Sequence, residues 1–448
     1  MDSSLDEQKR LVLPELGEVI SLDDDAFPRS LYHQITPESA INDFLRKSRS
    51  YSLAKRRWKL PRNFTKLLNN DFHSPFLKIL SSILNHFWNE SIVRGTRLVI
   101  DSHATSLPHC EAGSTTHSSR PSIVIKAEGP SFQLPDSESG QTPAAIGFSN
   151  VTSCINLQIQ QAETPVSEQL MQMAIYARQI FIQQPNRRFV RLLILFEEHF
   201  RLFHFDRSGA QYTPAINFHD EPHTFVRLIL GLSSPDESDI GLDSSIQWMI
   251  EKGRKVGGTL RTRRADGAEL VYSLSNVAPF FFRGDMRGRA TICWSSEDVV
   301  SEHLYLQDAV GVPGVVQMVS CEPDRDETRN LRGFGDVLPP GFHNRVETRI
   351  VIKAYGKPVQ NFTSAVQLLC ALRDAIAGHM ELYSEKGTLH RDISVYNILL
   401  GKTGAEPGYR GVLIDFDMAI HYGLETSNKP ENWQIVRPIL FFWMRYVS

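Results

Sequence analysis

Two kinds of apolar spacing alternate along the middle of this 448-residue chain. Leu170, Met173, Ala174, Ala177, Ile180 and Phe181 recur at helical spacing, which predicts a helix over Glu168 to Gln184, ended by Pro185. Short β-branched and aromatic runs flank it. Ile123-Val124-Ile125 and the alternating stretch Ile155 to Ile159 read as strands before the helix. Val190 to Phe196 and His199 to Phe205 read as strands after it, joined as a hairpin at Glu197-Glu198. The order strand, strand, helix, strand, strand predicts one α/β domain over 96–245. Residues 1–95 read as a mainly helical lead, and the stretches 103–122 and 130–147 as loops. Residues 246–275 carry Gly257-Gly258 and Arg261 to Arg264 and read as a polar, basic connector. Farther on, Ala365, Leu369, Leu372, Ile376, Met380 and Tyr383 predict a second long helix, from about Ser364 to Lys386, capped by Thr363 and stopped by Gly387.

That second helix leads into the most informative residues of the chain. His390-Arg391-Asp392-Ile393-Ser394-Val395-Tyr396-Asn397 is followed by the short apolar runs Asn397 to Leu400 and Val412 to Ile414, then by Asp415-Phe416-Asp417. Phosphoryl transfer asks a protein for little covalent help. It needs a carboxylate that orients the attacking hydroxyl and oxygen ligands that hold Mg2+ against nucleotide phosphates. An HRD-x4-N loop offers the carboxylate as Asp392 and one metal ligand as Asn397, and Asp415 at a strand end offers the other. His390 reads as a packing residue. Arg391 reads as a brace, either for an acidic group in the following segment or for the loop itself.

The residues around this core resemble the fungal-type protein kinase family, a divergent group of eukaryotic-like kinases. The matching stretches are Arg349 to Lys353, Gly356-Lys357-Pro358, Arg373 to His379, Leu389 to Ser394 and Ile414 to Asp417. Upstream, Tyr176-Ala177-Arg178, Arg187-Arg188-Phe189 and His204-Phe205-Asp206-Arg207-Ser208-Gly209 look like the family's preceding region, so the likeness covers about 96–425. The resemblance implies ATP- and Mg2+-dependent phosphorylation of Ser or Thr in proteins, with no substrate specified. It implies that Gly284 and Gly288 sit on the hairpin that covers the phosphates, with Ala290 where the family's second Gly stands. It aligns Glu302 as the helix Glu that pairs with a phosphate-binding Lys. The chain departs from the family there. No Lys occurs between Lys255 and Lys353, and Ser295 to Val300 runs straight into Ser301-Glu302 where a Val-Ile-Lys strand belongs. Ser394 stands where many Ser/Thr kinases carry another Lys, and Asp417 replaces the Gly of Asp-Phe-Gly, as is usual in this family. After Asp417 only 31 residues follow, without an Ala-Pro-Glu-like anchor. The expectation is a kinase-like domain over 276–448 that is incomplete and impaired or inactive.

Composition removes several other classes. Lys and Arg total 48 against 51 Asp and Glu, a net charge of −3, which argues against a polyanionic partner for the whole chain. A basic run does cross the lead: Arg46, Lys47, Arg49, Lys55, Arg56, Arg57, Lys59, Arg62 and Lys66, with Tyr51 and Trp58 between them. A solvated helix face explains it better than nucleic-acid binding. The five cysteines lack CxxC spacing and give no metal signal. The acidic, polar start is no secretory signal, and no apolar run spans a membrane, so the expectation is an intracellular protein, cytoplasmic or nuclear. The α/β domain suits a restriction-endonuclease-like core, but Ser122, Asn156 and Gln158 fall where its carboxylates and Lys would act, while Glu128 and Asp136 lie on loops, so such a site would be dead. The fold class expected is thus α/β and α+β multidomain, with a kinase-like fold last. The alternatives to a kinase are a pseudokinase or interaction module, and, from Asp417 alone, a small-molecule phosphotransferase.

Overall fold

A computed structural model describes residues 3–17, 19–61, 72–88, 97–110, 117–135, 144–158, 164–263, 268–274, 277–279, 281–282, 292–293, 304–353 and 355–421. The chain divides into two compact units. Unit 1 holds Met1–Leu260, Asn276–Trp294 and Asp326–Val346, and unit 2 holds Arg261–Ser275, Ser295–Arg325 and Glu347–Ser448. Sequence-based boundaries at 95/96, 245/246 and 275/276 lie elsewhere, because contacts between residues far apart in sequence decide compactness and composition shifts do not record them.

Unit 1 is built on an eight-stranded mixed sheet among the described residues. Its main path uses β1 (Val19–Ser21), β2 (Arg97–Asp101), β3 (Ile123–Ala127), β4 (Val151–Leu157), β5 (Phe189–Leu195), β6 (His199–Asp206) and β7 (Gly209–Tyr212), in the spatial order β1-β7-β6-β5-β4-β3-β2. The β1/β7 and β4/β5 pairs are parallel and the others antiparallel. Helix α1 (Ser3–Leu16) and helix α4 (Val166–Gln183) supply the core on one face, where Val12, Leu16, Met173 and Ile180 meet Val124, Cys154, Leu192 and Ile194. On the other, α2 (Glu38–Lys47), α3 (His73–Phe87) and α5 (Pro222–Leu232) meet Ile123, Ile125, Ile155, Leu193 and Leu195. Alternate residues of each strand therefore enter opposite cores. That is why the strands read as continuous apolar runs and not as apolar–polar alternation. Each fully buried Ile, Leu or Phe contributes roughly 1.5–3 kcal/mol.

The predicted strands and the long helix are present, all but one within two residues of the predicted bounds; the strand expected over Ile155 to Ile159 instead runs Val151–Leu157, which leaves Gln158 one residue beyond β4. Three expectations change. The basic run is no helix face: α2 ends at Lys47, and Tyr51–Ser52 pairs with Arg57–Trp58 in a hairpin. Its basic residues from Arg46 to Lys59 face solvent while Tyr51 and Trp58 are buried, Trp58 Nε1 donating to the Phe218 carbonyl at 3.0 Å, and Arg62 and Lys66 lie outside the described residues. The 246–275 connector instead contains paired strands, Ile246–Glu251 against Arg254–Arg263, which buries Trp248 under the Lys255 ammonium. Finally, the predicted lead belongs to unit 1 and helps cover its sheet.

The His204–Gly209 motif is an anchor for residues 328–345, which also fold with unit 1. The Arg332 side chain is fully buried and forks onto Asp206, Nε to Oδ2 at 2.7 Å and Nη2 to Oδ1 at 2.6 Å. Asp206 Oδ1 also accepts the Ser208 N–H at 2.8 Å, and Ser208 Oγ bonds Thr328 Oγ1 and the His343 carbonyl. Burial drives His204 towards the neutral form, its pKa down at about 4. As a neutral ring it donates from Nε2 to Asp206 Oδ2 at 2.9 Å and accepts at Nδ1 from Arg191 Nε at 3.1 Å. Burial works against ionising Asp206, but the His204 and Arg332 hydrogen bonds and the Arg332 charge outweigh it and hold the pKa at about 2.

In unit 2, β8 (Met318–Glu327) pairs with β9 (Val346–Ile352), and helix α6 (Ala365–Lys386) packs on β10 (Ile398–Leu400) and β11 (Gly411–Leu413). The α6 bounds match the prediction, with Gly387 in the left-handed region at φ 66°. Ser364 is the capping residue, its Oγ accepting the Gln367 N–H, while Thr363 bonds the Gln367 side chain. The buried stripe differs from the one predicted. Ala371, Ala375, Gly378 and Leu382 face the core, whereas Leu369, Ile376, Met380 and Tyr383 are exposed. Close backbone approach sets this choice: a Cβ on Gly378 would lie 2.2 Å from the Pro313 carbonyl, and one on Gly411 1.9 Å from that of Ala371.

Candidate active site

The loop from His390 to Asn397 is tied at both ends to the segment that carries Asp415. At its start, Thr388–Leu389 pairs with Ile420–His421. At its end, β10 pairs with β11 in the register Ile398↔Leu413, and the Ile414 N–H continues the ladder to the Asn397 carbonyl at 2.9 Å. Between them, His390 Nε2 reaches the Ile414 carbonyl at 2.9 Å and Arg391 Nε the Met418 carbonyl at 2.7 Å. Four tethers thus fix Asp415 against the loop through backbone groups on either side of it.

Within the loop, Asn397 is buried and Asp392 exposed. Asn397 Nδ2 donates to the Asp392 carbonyl at 2.9 Å and to its Oδ2 at 3.1 Å. The amide group therefore orients the carboxylate through its nitrogen. Asn397 and Asp415 offer hard oxygen donors and no nitrogen or sulfur, a set that fits Mg2+. Arg391 and Asp415 both hold left-handed backbone, at φ 65° and 66°. For residues with a β-carbon this costs of order 1–3 kcal/mol each, and it persists only because the tethers over-determine the conformation. Arg391 reaches from the loop to the Met418 carbonyl, in the segment that follows Asp415.

His390 is the structural centre of the loop. It is buried, packs edge-on against Phe416 at 4.5 Å, and accepts the Asp392 N–H at Nδ1. Burial pushes its pKa down to about 4, so the neutral ring with hydrogen on Nε2 is the form that makes both bonds. The sign of the pH effect follows. Between about pH 6.5 and 4 the unfolded chain binds the proton and the folded one does not, so stability falls as pH falls through that window. Thermal unfolding at pH 7.5 and pH 5 should give a lower midpoint at pH 5, and His390→Asn should flatten the part of this dependence that belongs to unit 2. A midpoint that rises on acidification would contradict it.

Sequence reasoning missed Asp374. Its buried carboxylate accepts the Gly408 and Arg410 N–H groups at 2.8 and 3.0 Å, fixing the connection that leads into β11. The available signal was a lone acid on the same helix stripe as Ala371 and Ala375. Gly284, Gly288 and Glu302 lie outside the described residues, as does Asp136. Two of the three suspected nuclease positions, Ser122 and Asn156, belong to a neutral network, and Gln158 does not join it. Ser122 Oγ donates to Asn156 Oδ1 at 2.8 Å, Asn156 Nδ2 to Gln172 Oε1 at 2.9 Å, and Gln172 to Tyr176. Glu128 is exposed and pairs with Lys126.

The model of the family described as fungal protein kinase matches residues 131–311 and 307–434. The chain belongs to the fungal protein kinase family. The match begins in unit 1 and so takes in β4 to β7 together with the His390 loop. No curated protein matches the chain. Among the described residues no helix is long and apolar enough to cross a membrane.

Proposed function

We propose that this fungal protein kinase family member binds Mg2+-nucleotide on the His390–Asp415 framework and descends from kinases that phosphorylate Ser or Thr in proteins, with its own transfer chemistry impaired. The observation that carries the proposal is the Asn397–Asp392 bond within a loop tethered four times to the Asp415 segment. Asp392 would accept or orient the proton of the attacking hydroxyl, Asn397 and Asp415 would hold Mg2+, and Arg391 would keep the segment after Asp415 in place. Mg2+-ATP, when bound, supplies the phosphoryl group and neutralises its developing charge. Gly284 and Gly288 would cover the phosphates, and Glu302 would be left without the Lys it pairs with in the family.

Support for impairment comes from the Lys-free stretch between Lys255 and Lys353 and from Ser394, which stands where many Ser/Thr kinases carry a Lys. The same features favour a pseudokinase as the second reading. For unit 1, the order α3-β2-β3-β4-α4-β5 supports a nuclease-like ancestry, and the uncharged Ser122–Asn156–Gln172 network supports a site without metal chemistry.

Nucleotide binding tests the proposal directly. ATP should raise the thermal midpoint of the full chain only with Mg2+ present, and Asp415→Asn should weaken the apparent affinity roughly tenfold or more, as removal of a metal ligand does. A shift that ignores both Mg2+ and Asp415→Asn would show that this framework is not the nucleotide site.

A further inference from the structure

We propose that the basic hairpin of unit 1, together with the end of α2 that leads into it, is a docking surface for the phosphate backbone of a double-stranded nucleic acid. Residues 46–59 hold seven Lys and Arg and no Asp or Glu, where the average of the whole chain, 48 in 448, would give one or two. On a helix those charges would point in every direction, and the hairpin gathers them instead. Tyr51 pairs with Trp58 and both turn into the core, so alternation sends Ser52 and Arg57, and beyond them Ser50 and Lys59, to the opposite side. Lys55 and Arg56 stand at the tip, in a turn closed by the Arg56 N–H on the Leu53 carbonyl at 3.2 Å. Lys47 ends α2, and Arg49 follows where the chain enters the hairpin.

All seven basic residues are exposed. Among the described residues, two of them have carboxylate partners, Arg46 with Asp43 at 3.6 Å and Arg57 with Glu198. Lys47, Arg49, Lys55, Arg56 and Lys59 have none. Solvation is the ordinary purpose of exposed charge, but interspersed signs serve it equally well. A cluster of one sign, in a chain whose net charge is −3, adds self-repulsion that the fold does not need and that an anionic partner removes.

Three features of the surface select the partner. Ser50 and Ser52 set hydroxyls beside Lys59 and Arg57, and hydroxyls, ammoniums and guanidinium forks are the groups that meet phosphate oxygens. The aromatic rings of Tyr51 and Trp58 are buried, so the hairpin offers no platform on which unpaired bases could stack, which favours a duplex over a single strand. Leu53 is the one large apolar side chain that 46–59 exposes, too little to anchor a basic segment in a lipid bilayer. A two-stranded ribbon is also narrow enough to enter a major groove. Contacts to phosphate carry no sequence information, so the binding is expected to be indifferent to base sequence.

Fluorescence anisotropy with the full-length chain tests this, using labelled duplexes of about 20 base pairs, one of DNA and one of RNA. In about 50 mM salt at least one duplex should bind with a Kd on the order of 10 µM or tighter, and about 200 mM salt should weaken it roughly 10²-fold, as release of about four counterions requires. The triple variant Lys55→Gln, Arg56→Gln, Lys59→Gln should keep the thermal midpoint, bind roughly tenfold or more weakly and show a flatter salt dependence. Lys55→Arg with Lys59→Arg, which keeps the charge, should bind as wild type does. A single strand of the same length, polyglutamate and phosphatidylserine vesicles should each compete roughly tenfold less well than the duplex. The proposal is overturned by the lack of saturable binding to either duplex below about 0.1 mM, or by wild-type affinity and salt dependence in the triple variant. Equal or stronger competition by the single strand, polyglutamate or the vesicles would overturn it as well.

Discussion

Arg332→Met should destabilise unit 1 by about 3–5 kcal/mol, the usual cost of leaving a buried charge without its partner. Arg332 and Asp206 have no side-chain exposure, and the fork of two bonds at 2.7 and 2.6 Å is what compensates the desolvation of both. With Arg332 gone, the Asp206 carboxylate keeps only His204 and the Ser208 N–H. Burial then favours protonating it, at the expense of the bond that holds His204. The loss should extend to residues 328–345, which are tied to the same corner through Ser208 and Thr328. Urea denaturation followed by tryptophan fluorescence reads it, because Trp58 and Trp248 are buried in unit 1. A double variant, Asp206→Leu with Arg332→Met, should recover much of the loss, since an apolar pair of similar volume removes the unpaired charge instead of exposing it. A cost below about 1 kcal/mol for Arg332→Met alone would show that the buried pair is not what fastens this segment.

The parts legible in the sequence were those whose signal is local. The His390–Asn397 loop declares itself because each residue type serves one purpose at a fixed spacing, and α6 because a capping residue and Gly387 bracket an apolar period. The strands Ile123–Ala127 and Phe189–Leu195 read correctly because both faces are buried. What stayed hidden depends on partners distant in the chain. Nothing near Arg332 marks it as the partner of Asp206, 126 positions earlier. The basic run could not be recognised as a hairpin, since charge carries no periodicity and only Tyr51 and Trp58 turn inward. Apolar spacing on α6 pointed to its larger side chains, whereas backbone contact at Pro313 and Gly411 selected the small ones.

The full chain should transfer phosphate from Mg2+-ATP to a generic basic protein at a rate on the order of 10²–10³-fold below the 1–100 s⁻¹ usual for kinases. The argument rests on charge that must be in place before the transition state forms. In the proposed reading, the tethered Asp392–Asn397 loop and Asp415 segment would orient the hydroxyl and Mg2+, so that step is not the expected deficit. The α- and β-phosphates, however, are normally fixed by a Lys locked onto a helix Glu, and the stretch from Lys255 to Lys353 contains no Lys for Glu302 to pair with. Arg287 or Arg289 could restore the charge but not the geometry, because a rigid planar fork meets phosphate differently from a compact ammonium on a flexible four-carbon stem. In the same reading, Ser394, standing where many Ser/Thr kinases carry a Lys, would leave a further positive charge missing beside the γ-phosphate. Nucleotide can still bind through Mg2+ under these conditions, so affinity and turnover should separate: a thermal shift with Mg2+-ATP that Asp415→Asn weakens, and transfer at the reduced rate in wild type that Asp392→Asn lowers further. Turnover within the ordinary kinase range, lost on Asp392→Asn, would refute the impairment and would place an Arg in the role of the absent Lys.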